Sequence, residues 1–351
     1  MNTLKKLLSG ITDVPAGIAW YLADIAEAKG KQDLYINQSP QKLKVLREHA
    51  LIESAVSSNR IEGVEIENKR IGTVIFGKPL LRDRNEEEFQ GYRDALELIH
   101  SGSEEIPYSE STIKNIHKII RGDIWDAGKY KDKDSDIIEK FPNGDVRIRF
   151  NTVPAARTGD AMRELVSYYS DIDKDRIVHP LILLAATSLD FLCIHPFRDG
   201  NGRVSRLLLL LQLYHAGFEV GRYISLERLI EEHKERYYET LKMSSQQWHE
   251  GTHDPWPYIS FLFYILKKAY SEFSDRVTGI EIPRGGKTEL VISAIEKFKA
   301  GFTLAQLEAQ CPDVSRDMIR KVLKDLRLKG KVESTGRGAG ARWRSKGNTF
   351  E

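Results

Sequence analysis

The sequence predicts a mainly α protein: a large helical body interrupted by one β-hairpin, then a small basic module ending in a second hairpin. Three observations carry that prediction. Apolar residues recur at three- and four-residue intervals over most of residues 40–277. One stretch, between Gly128 and Pro154, switches to strand-like alternation. Charge is also unevenly placed: residues 284–346 hold 15 Lys and Arg against 7 Asp and Glu, while residues 1–283 hold 38 against 43.

At 351 residues and 41% hydrophobic content, the chain can bury a sizeable core in two or three domains. Cys193 and Cys311 lie far apart and form neither a disulfide framework nor a zinc spacing, which points to a reducing compartment. No export signal is evident. The apolar runs Leu181–Ile194 and Leu207–Leu213 are too short or too interrupted to span a bilayer. The expectation is a cytoplasmic protein without a membrane partner.

Each element has its own signal. Leu43, Leu46, Ala50 and Val56 mark a helix over Pro40–Asn59, with Gly63 as its stop. Phe89, Tyr92, Ala95, Leu96 and Ile99 mark Asn85–Ser101, and Ser111–Gly122 reads as a shorter helix. Ile137-Ile138, the Asn143-Gly144 turn, and Val146, Ile148 and Phe150 read as a hairpin. A lone hairpin in a helical body has no sheet to join, so it is expected as a flap over a site. Helices resume at Ala155–Asp171, His179–Ile194, Arg203–Ala216, Leu226–Ser244 and Trp256–Val277.

A linker rich in turn signals, Gly279–Lys287, leads to helices at Glu289–Phe298, Leu304–Gln310 and Ser315–Lys329. Lys331–Ser334 and Ala341–Trp343 then flank the loop Gly336–Gly340. Three short helices and a basic hairpin make a winged-helix pattern. Arg316, Arg320, Lys321, Lys324, Arg327 and Lys329 on its last helix, with Arg337, Arg342 and Arg344 on the wing, suit DNA phosphates. A protein-docking face is the other reading.

Chemistry concentrates in His195-Pro196-Phe197-Arg198-Asp199-Gly200-Asn201-Gly202-Arg203-Val204-Ser205-Arg206. His195, at the end of an apolar helix, suits a general base near neutral pH. Gly200-Asn201-Gly202 can turn successive amides toward one anion, and the following helix adds its positive end. Asp199 is a hard oxygen ligand suited to Mg²⁺ on phosphates. Arg203 and Arg206, three apart, share a helix face toward phosphate oxygens. A calcium loop is excluded, because an EF-hand needs an acidic residue where His195 stands. Gly286-Lys287-Thr288 ends like a phosphate loop but has Glu281 where the earlier glycine belongs.

The segment His195–Arg206 resembles the signature of the Fic family, His-x-Phe-x-Asp/Glu-Gly-Asn-Gly-Arg-x-x-Arg, at every fixed position. The wider resemblance spans roughly residues 40–275. It implies a Fic-type helical domain with a β-hairpin flap and transfer of AMP from ATP to a Ser, Thr or Tyr hydroxyl of a protein. It makes His195 the base and Asp199 the Mg²⁺ ligand, and it puts Gly200, Asn201, Gly202, Arg203 and Arg206 on the phosphates. Phe197 would anchor the loop, Ile137 and Ile138 would dock the target's backbone, and Tyr237 and Tyr238 would lie near the base. An asparagine common after that pair is here Ser245. Ser58-Asn59-Arg60-Ile61-Glu62-Gly63 resembles the family's inhibitory motif, Ser/Thr-x-x-x-Glu-Gly/Asn, in which Glu62 would take Arg206 from the γ-phosphate.

The expected organisation is residues 1–110, a helical region carrying the inhibitory helix at about 40–63; 111–277, the catalytic domain; 278–286, a linker; and 287–346, the winged helix. Removal of AMP at the same site, and a DNA-binding regulator that senses nucleotide, are the competing readings; an intact His195 favours an enzyme. A homodimer is left open.

Overall fold

The computed structural model describes the chain apart from residues 11–12, 39, 68–69, 72–73, 75–80, 82, 141–144, 280–285, 297, 299–300, 312–313, 315, 336–340 and 346–351. The elements are α1 (Asn2–Leu8), α2 (Ala16–Gln38), α3 (Pro40–Ile61), α4 (Arg84–Gly102) and α5 (Glu110–Arg121), then β1 (Ile137–Lys140) and β2 (Val146–Phe150). Next come α6 (Ala155–Lys174), α7 (Pro180–Ile194), α8 (Asn201–His215), α9 (Leu226–Glu232), α10 (Lys234–Ser245) and α11 (Trp256–Gly279). The tail holds α12 (Gly286–Glu296), β3 (Phe302–Thr303), α13 (Leu304–Gln310), α14 (Arg316–Leu328), β4 (Val332–Thr335) and β5 (Arg342–Ser345). Two compact units result, residues 1–28 with 47–272, and residues 29–46 with 273–351. The regions expected as 1–110 and 111–277 therefore fold largely together.

The first unit is built on α7 and α8. Nearly every residue of α7 is buried, which is why its sequence is apolar on all sides rather than along one stripe. Pro180 opens it, and His179 Nδ1 accepts the Leu181 N–H at 3.2 Å. Helix α8 carries Leu207–Leu211 into the same core and packs on α4, α5 and α7. Truncating one of these leucines to alanine would cost about 2–5 kcal/mol. Asp190, buried inside α7, accepts the Thr3 and Leu4 N–H groups, each at 3.0 Å, and Trp248 Nε1–H at 2.6 Å. It thereby caps α1 onto the core.

One expectation changes here. The predicted helix Leu226–Ser244 breaks at His233 (φ −116°, ψ 31°) into α9 and α10. Tyr264 Oη and Lys268 Nζ lie 3.3 and 3.0 Å from His233 Nε2, so tertiary contacts hold the side chain at the break. Helices α1 and α2 lie in the region expected to be helical but had no bounds of their own in the sequence reading. Gly17 and Gly30 within α2 weaken its helical signal.

Strands β1 and β2 pair antiparallel as a two-stranded sheet, Ile138 opposite Ile148, with a bulge between Ile137 and Ile138. Ile138, Val146 and Ile148 are exposed. The expected Asn143-Gly144 turn lies outside the described residues.

The second unit gathers Val291, Ile295, Phe302, Leu307, Ile319 and Leu323 into a core of its own. Its sheet runs β3-β5-β4, all antiparallel. Thr303 and Gln306 form a reciprocal capping box at the start of α13. Most of the expected linker, the loop 336–340 and Arg337 fall outside the described residues. No helix among the described residues is long and apolar enough to cross a membrane.

Candidate active site

Helix α7 ends at His195, whose backbone is left-handed (φ 52°, ψ 61°) and whose N–H still bonds Phe191 O at 2.9 Å. The loop that follows is held from within. Phe197 is fully buried and stacks on His117, with ring centroids 3.7 Å apart. Asn201 Oδ1 accepts the Phe197 N–H at 2.9 Å, and its Nδ2 donates to Phe197 O at 2.8 Å. The Asn201 side chain, expected on phosphate oxygens, is thus buried and bonded to the loop. Gly200 caps α8 with φ +80°, a conformation that favours glycine. At Gly202 an added Cβ would collide with Glu62 Oε1, so glycine is required there for the close approach of that carboxylate.

Glu62 is placed by the way α3 stops. Gly63 is left-handed (φ +81°), its N–H bonds Arg60 O at 3.0 Å, and the Val64 N–H bonds Asn59 O at 3.0 Å. This is a Schellman stop, with Ile61 the last helical residue and Glu62 the C-cap. Side chains also reach the carbonyls of this last turn. Arg206 Nη2 donates to Ser58 O at 3.0 Å, Lys234 Nζ to Arg60 O at 3.4 Å, and Tyr238 Oη to Ile61 O at 3.3 Å. Two of those donors are cations at the negative end of a helix.

Arg206 also donates to Ser58 Oγ at 2.9 Å and to Glu62 Oε1 at 2.8 Å. Burial alone would lower its pKa, but Glu62 outweighs burial and raises it. Arg206 Nη1 is buried without a hydrogen-bond partner, 3.1 Å from where a Gly202 Cβ would stand. Arg203 is 1% exposed and donates to Glu88 Oε2 at 2.6 Å and Asn59 Oδ1 at 3.3 Å.

A cavity of about 480 Å³ brings together Glu62, Ile137, Ile138, His195, Gly202, Tyr237, Tyr238 and Ser245. The β-hairpin and the Glu62 carboxylate therefore meet the motif at one place. Tyr237 is 3% exposed and packs at 5.8 Å on Phe261, a core residue with one edge on the cavity. Tyr238 is half-buried beneath Arg149 of the flap, which lies 5.3 Å from its ring and donates to its carbonyl at 2.6 Å.

The charges are set for proton and anion chemistry. Burial lowers the His195 pKa from 6.5 to about 4, with the Leu192 bond opposing and Lys131 assisting. Its Nδ1 lies 3.3 Å from Leu192 O, a pure acceptor, so Nδ1 carries the hydrogen and Nε2 keeps a lone pair. Burial would raise the Asp199 pKa, but Arg203, Arg121 and the Gly200 N–H outweigh it and hold the carboxyl below its usual value. Asp199 is ionised and its side chain is 56% exposed. No cluster of three or more metal-ligating side chains occurs among the described residues. A single exposed carboxylate fits Mg²⁺, which is commonly held by one or two carboxylates plus substrate phosphates.

Four contributors escaped the sequence reading. Glu88 is a buried hub, accepting from Arg203, from Arg121 Nη1 at 3.1 Å and from Arg84 Nε at 2.9 Å. Arg121 Nη1 reaches Asp199 Oδ2 at 2.5 Å. His117 accepts the Gly128 N–H at Nδ1, so its Nε2 donates to Asp199 O at 3.1 Å. Lys131 Nζ donates to Ile194 O at 3.3 Å, and its N–H to Pro196 O at 2.8 Å. The Asn85–Ser101 and Ser111–Gly122 helices were visible in sequence, but nothing local marked their charged residues as site components.

Fold and site together define a helical domain that sets a histidine and a glycine-bounded helix N-terminus into one flap-covered cavity. Residues 107–213 match the Fic/DOC family, and the chain carries a domain of that family. The protein adenylyltransferase Fic of Nematostella vectensis is 29% identical over 151 residues, 40% of this chain and 31% of that protein. The same-named protein of Culex quinquefasciatus is 33% identical over 86 residues, 24% of this chain and 15% of that protein. The chain thus matches less than a third of these relatives' length. A Fic family protein from Desulfovibrio desulfuricans G20 superposes with a TM-score of 0.62 at 22% identity, covering 97% of this chain and 98% of that one. A Fic domain-containing signalling protein from Bacteroides thetaiotaomicron gives 0.61 at 21% identity, covering 74% and 98%. At these identities the likeness is one of fold.

Proposed function

We propose that this chain transfers AMP from ATP to a Ser, Thr or Tyr hydroxyl of a target protein, or of itself, and that Glu62 holds the site in check. One observation carries the reading. The Glu62 carboxylate approaches Gly202 and pairs with Arg206, where a phosphate would find a helix N-terminus and a guanidinium.

In the reaction, His195 Nε2 accepts the proton of the target hydroxyl while its oxygen forms a bond to the α-phosphorus. The bond from that phosphorus to the bridging oxygen breaks, and pyrophosphate leaves. An anionic nucleotide beside the imidazole raises its pKa and makes it a stronger base. Backbone N–H groups at the start of α8 stabilise the charge on the phosphates. Mg²⁺, held by Asp199 and phosphate oxygens, would neutralise part of that charge. The free edge of β1 would align the target as an added strand.

The test is labelling with α-³²P-ATP. Glu62→Gly should raise protein-bound label by at least about tenfold, the equivalent of about 1.4 kcal/mol. Adding His195→Ala should abolish label while nucleotide still binds. Equal labelling of the parent chain and Glu62→Gly would sink the inhibitory assignment.

We infer further that the second unit is a winged helix that docks duplex DNA. Its helix–strand–helix–helix–strand–strand order and β3-β5-β4 sheet support this, as do exposed Lys321, Lys324 and Arg327 on α14 and Lys329 just after it.

A further inference from the structure

The carboxylate read above as the Mg²⁺ ligand already has a cation on it. Arg121, on α5, is itself buried, yet its Nη1 lies 2.5 Å from exposed Asp199 Oδ2 and 3.1 Å from Glu88 Oε1. One guanidinium therefore links the rim of the site to the buried hub that also holds Arg203. The same guanidinium has a second acceptor at hand. Asp126 Oδ1 lies 4.0 Å from Arg121 Nη2, inside the ion-pair range but too far for a hydrogen bond, and that oxygen is buried with no hydrogen-bond partner. A buried carboxylate oxygen left without a donor is costly. A shift of Arg121 toward Asp126 would satisfy it without breaking the pair to Glu88.

We infer that Arg121 is an internal counter-ion that Mg²⁺ must displace from Asp199, with Asp126 as the acceptor that receives it. The inference rests on the reading of Asp199 as the metal ligand. It gives the site a symmetry of substitutes, because Glu62 occupies the anion's place on Arg206 and Arg121 occupies the cation's place on Asp199. Nucleotide and metal must then each displace a side chain, so the site resists binding either one alone.

The test is a titration of Mn²⁺ against the chain saturated with α,β-methylene-ATP, following free Mn²⁺ by electron paramagnetic resonance. Arg121→Gln keeps a donor for Glu88 and removes the competing charge. It should tighten Mn²⁺ by about two- to fivefold, the scale of a partly exposed ion pair. Asp126→Asn should weaken Mn²⁺ in the parent chain and have no effect once Arg121 is Gln. A through-space charge effect would persist in the double variant. Should Arg121→Gln fail to fold, Arg121→Lys, a shorter point charge, should show the same direction with a smaller change. Unchanged or weaker Mn²⁺ binding in the Arg121 variants would overturn the inference, the weaker result making Arg121 a positioning group for Asp199. Asp199→Asn separates the two readings. If it loses Mn²⁺ while the Arg121 variants match the parent, only the counter-ion role fails. If it binds like the parent, the metal assignment fails and takes this inference with it.

Discussion

At Arg206 the side chain's last donors decide what the site can hold. Nε and Nη2 are committed to Ser58 and Glu62, and Nη1 is buried beside Gly202 without a partner. A ligand phosphate reaching α8 would have to meet this group and displace the carboxylate that already approaches Gly202. Gly202→Ala tests that shared space. Its Cβ would collide with Glu62 Oε1, so the methyl should obstruct any anion there. In the Glu62→Gly background it should cut labelling by at least about tenfold and weaken ATP binding measured by calorimetry. Full ATP affinity would show that the anion sits elsewhere. This part of the site was legible because His195, Asp199, Gly202 and Arg206 fall within one turn-and-helix segment. Glu88, Arg121, His117 and Lys131 were not. Each is an ordinary residue in its own helix or loop; the packing of α4 and α5 on α8 gives the first three a role, and Lys131 gains its own by bonding Ile194 O and Pro196 O.

Among elements, α3 shows how a local stop places the carboxylate proposed as the inhibitor. Glu62 caps its helix because Gly63 can take φ +81°, and nothing crowds a Cβ at that position. Gly63→Ala would therefore act through backbone strain alone, about 1–2 kcal/mol for a left-handed residue. It should loosen the Glu62–Arg206 pair and raise labelling above the parent chain, though less than Glu62→Gly. Labelling equal to the parent would separate the stop from the inhibition. Helix α14 offers a different lesson. Its basic sequence was plain, but the ion pairs of Arg316 with Glu308 (2.9 Å) and Arg320 with Asp317 (3.6 Å) temper it. Those acidic partners lie eight and three residues away, so charge counting overstated the field. DNA contacts should fall mainly on Lys321, Lys324 and Lys329. Replacing all three by Gln should weaken duplex binding and flatten the slope of log affinity against log salt by about 2–3, near 0.9 per lost phosphate contact. An unchanged slope would assign the face to a protein partner.

For the molecule as a whole, the same burial that prepares His195 makes folding depend on pH. His117 and His253 are 1% and 2% exposed, and burial chiefly lowers both from 6.5 to about 4. At His117 the bond to Asp199 O opposes the shift; at His253 Lys6 adds to it and Asp190 opposes it. Both rings stay neutral in the folded chain, while the unfolded chain binds a proton on each once the pH falls below 6.5. The unfolded state thus carries more protons between pH 6.5 and 4, so stability rises with pH across that window. It is fully present above 6.5 and lost as the pH falls through about 4. At pH 5 each ring should cost about 2 kcal/mol relative to neutral pH. His253 lies apart from the motif, its Nε2 2.9 Å from Thr3 Oγ1, so His253→Gln removes one titration while keeping a polar partner for that hydroxyl. Urea unfolding of both chains at pH 7.5 and pH 5 should show the variant losing about 2 kcal/mol less on acidification. Because carboxylates titrate alike in both, their difference isolates the one imidazole, and parallel losses would mean that His253 is protonated in the folded chain.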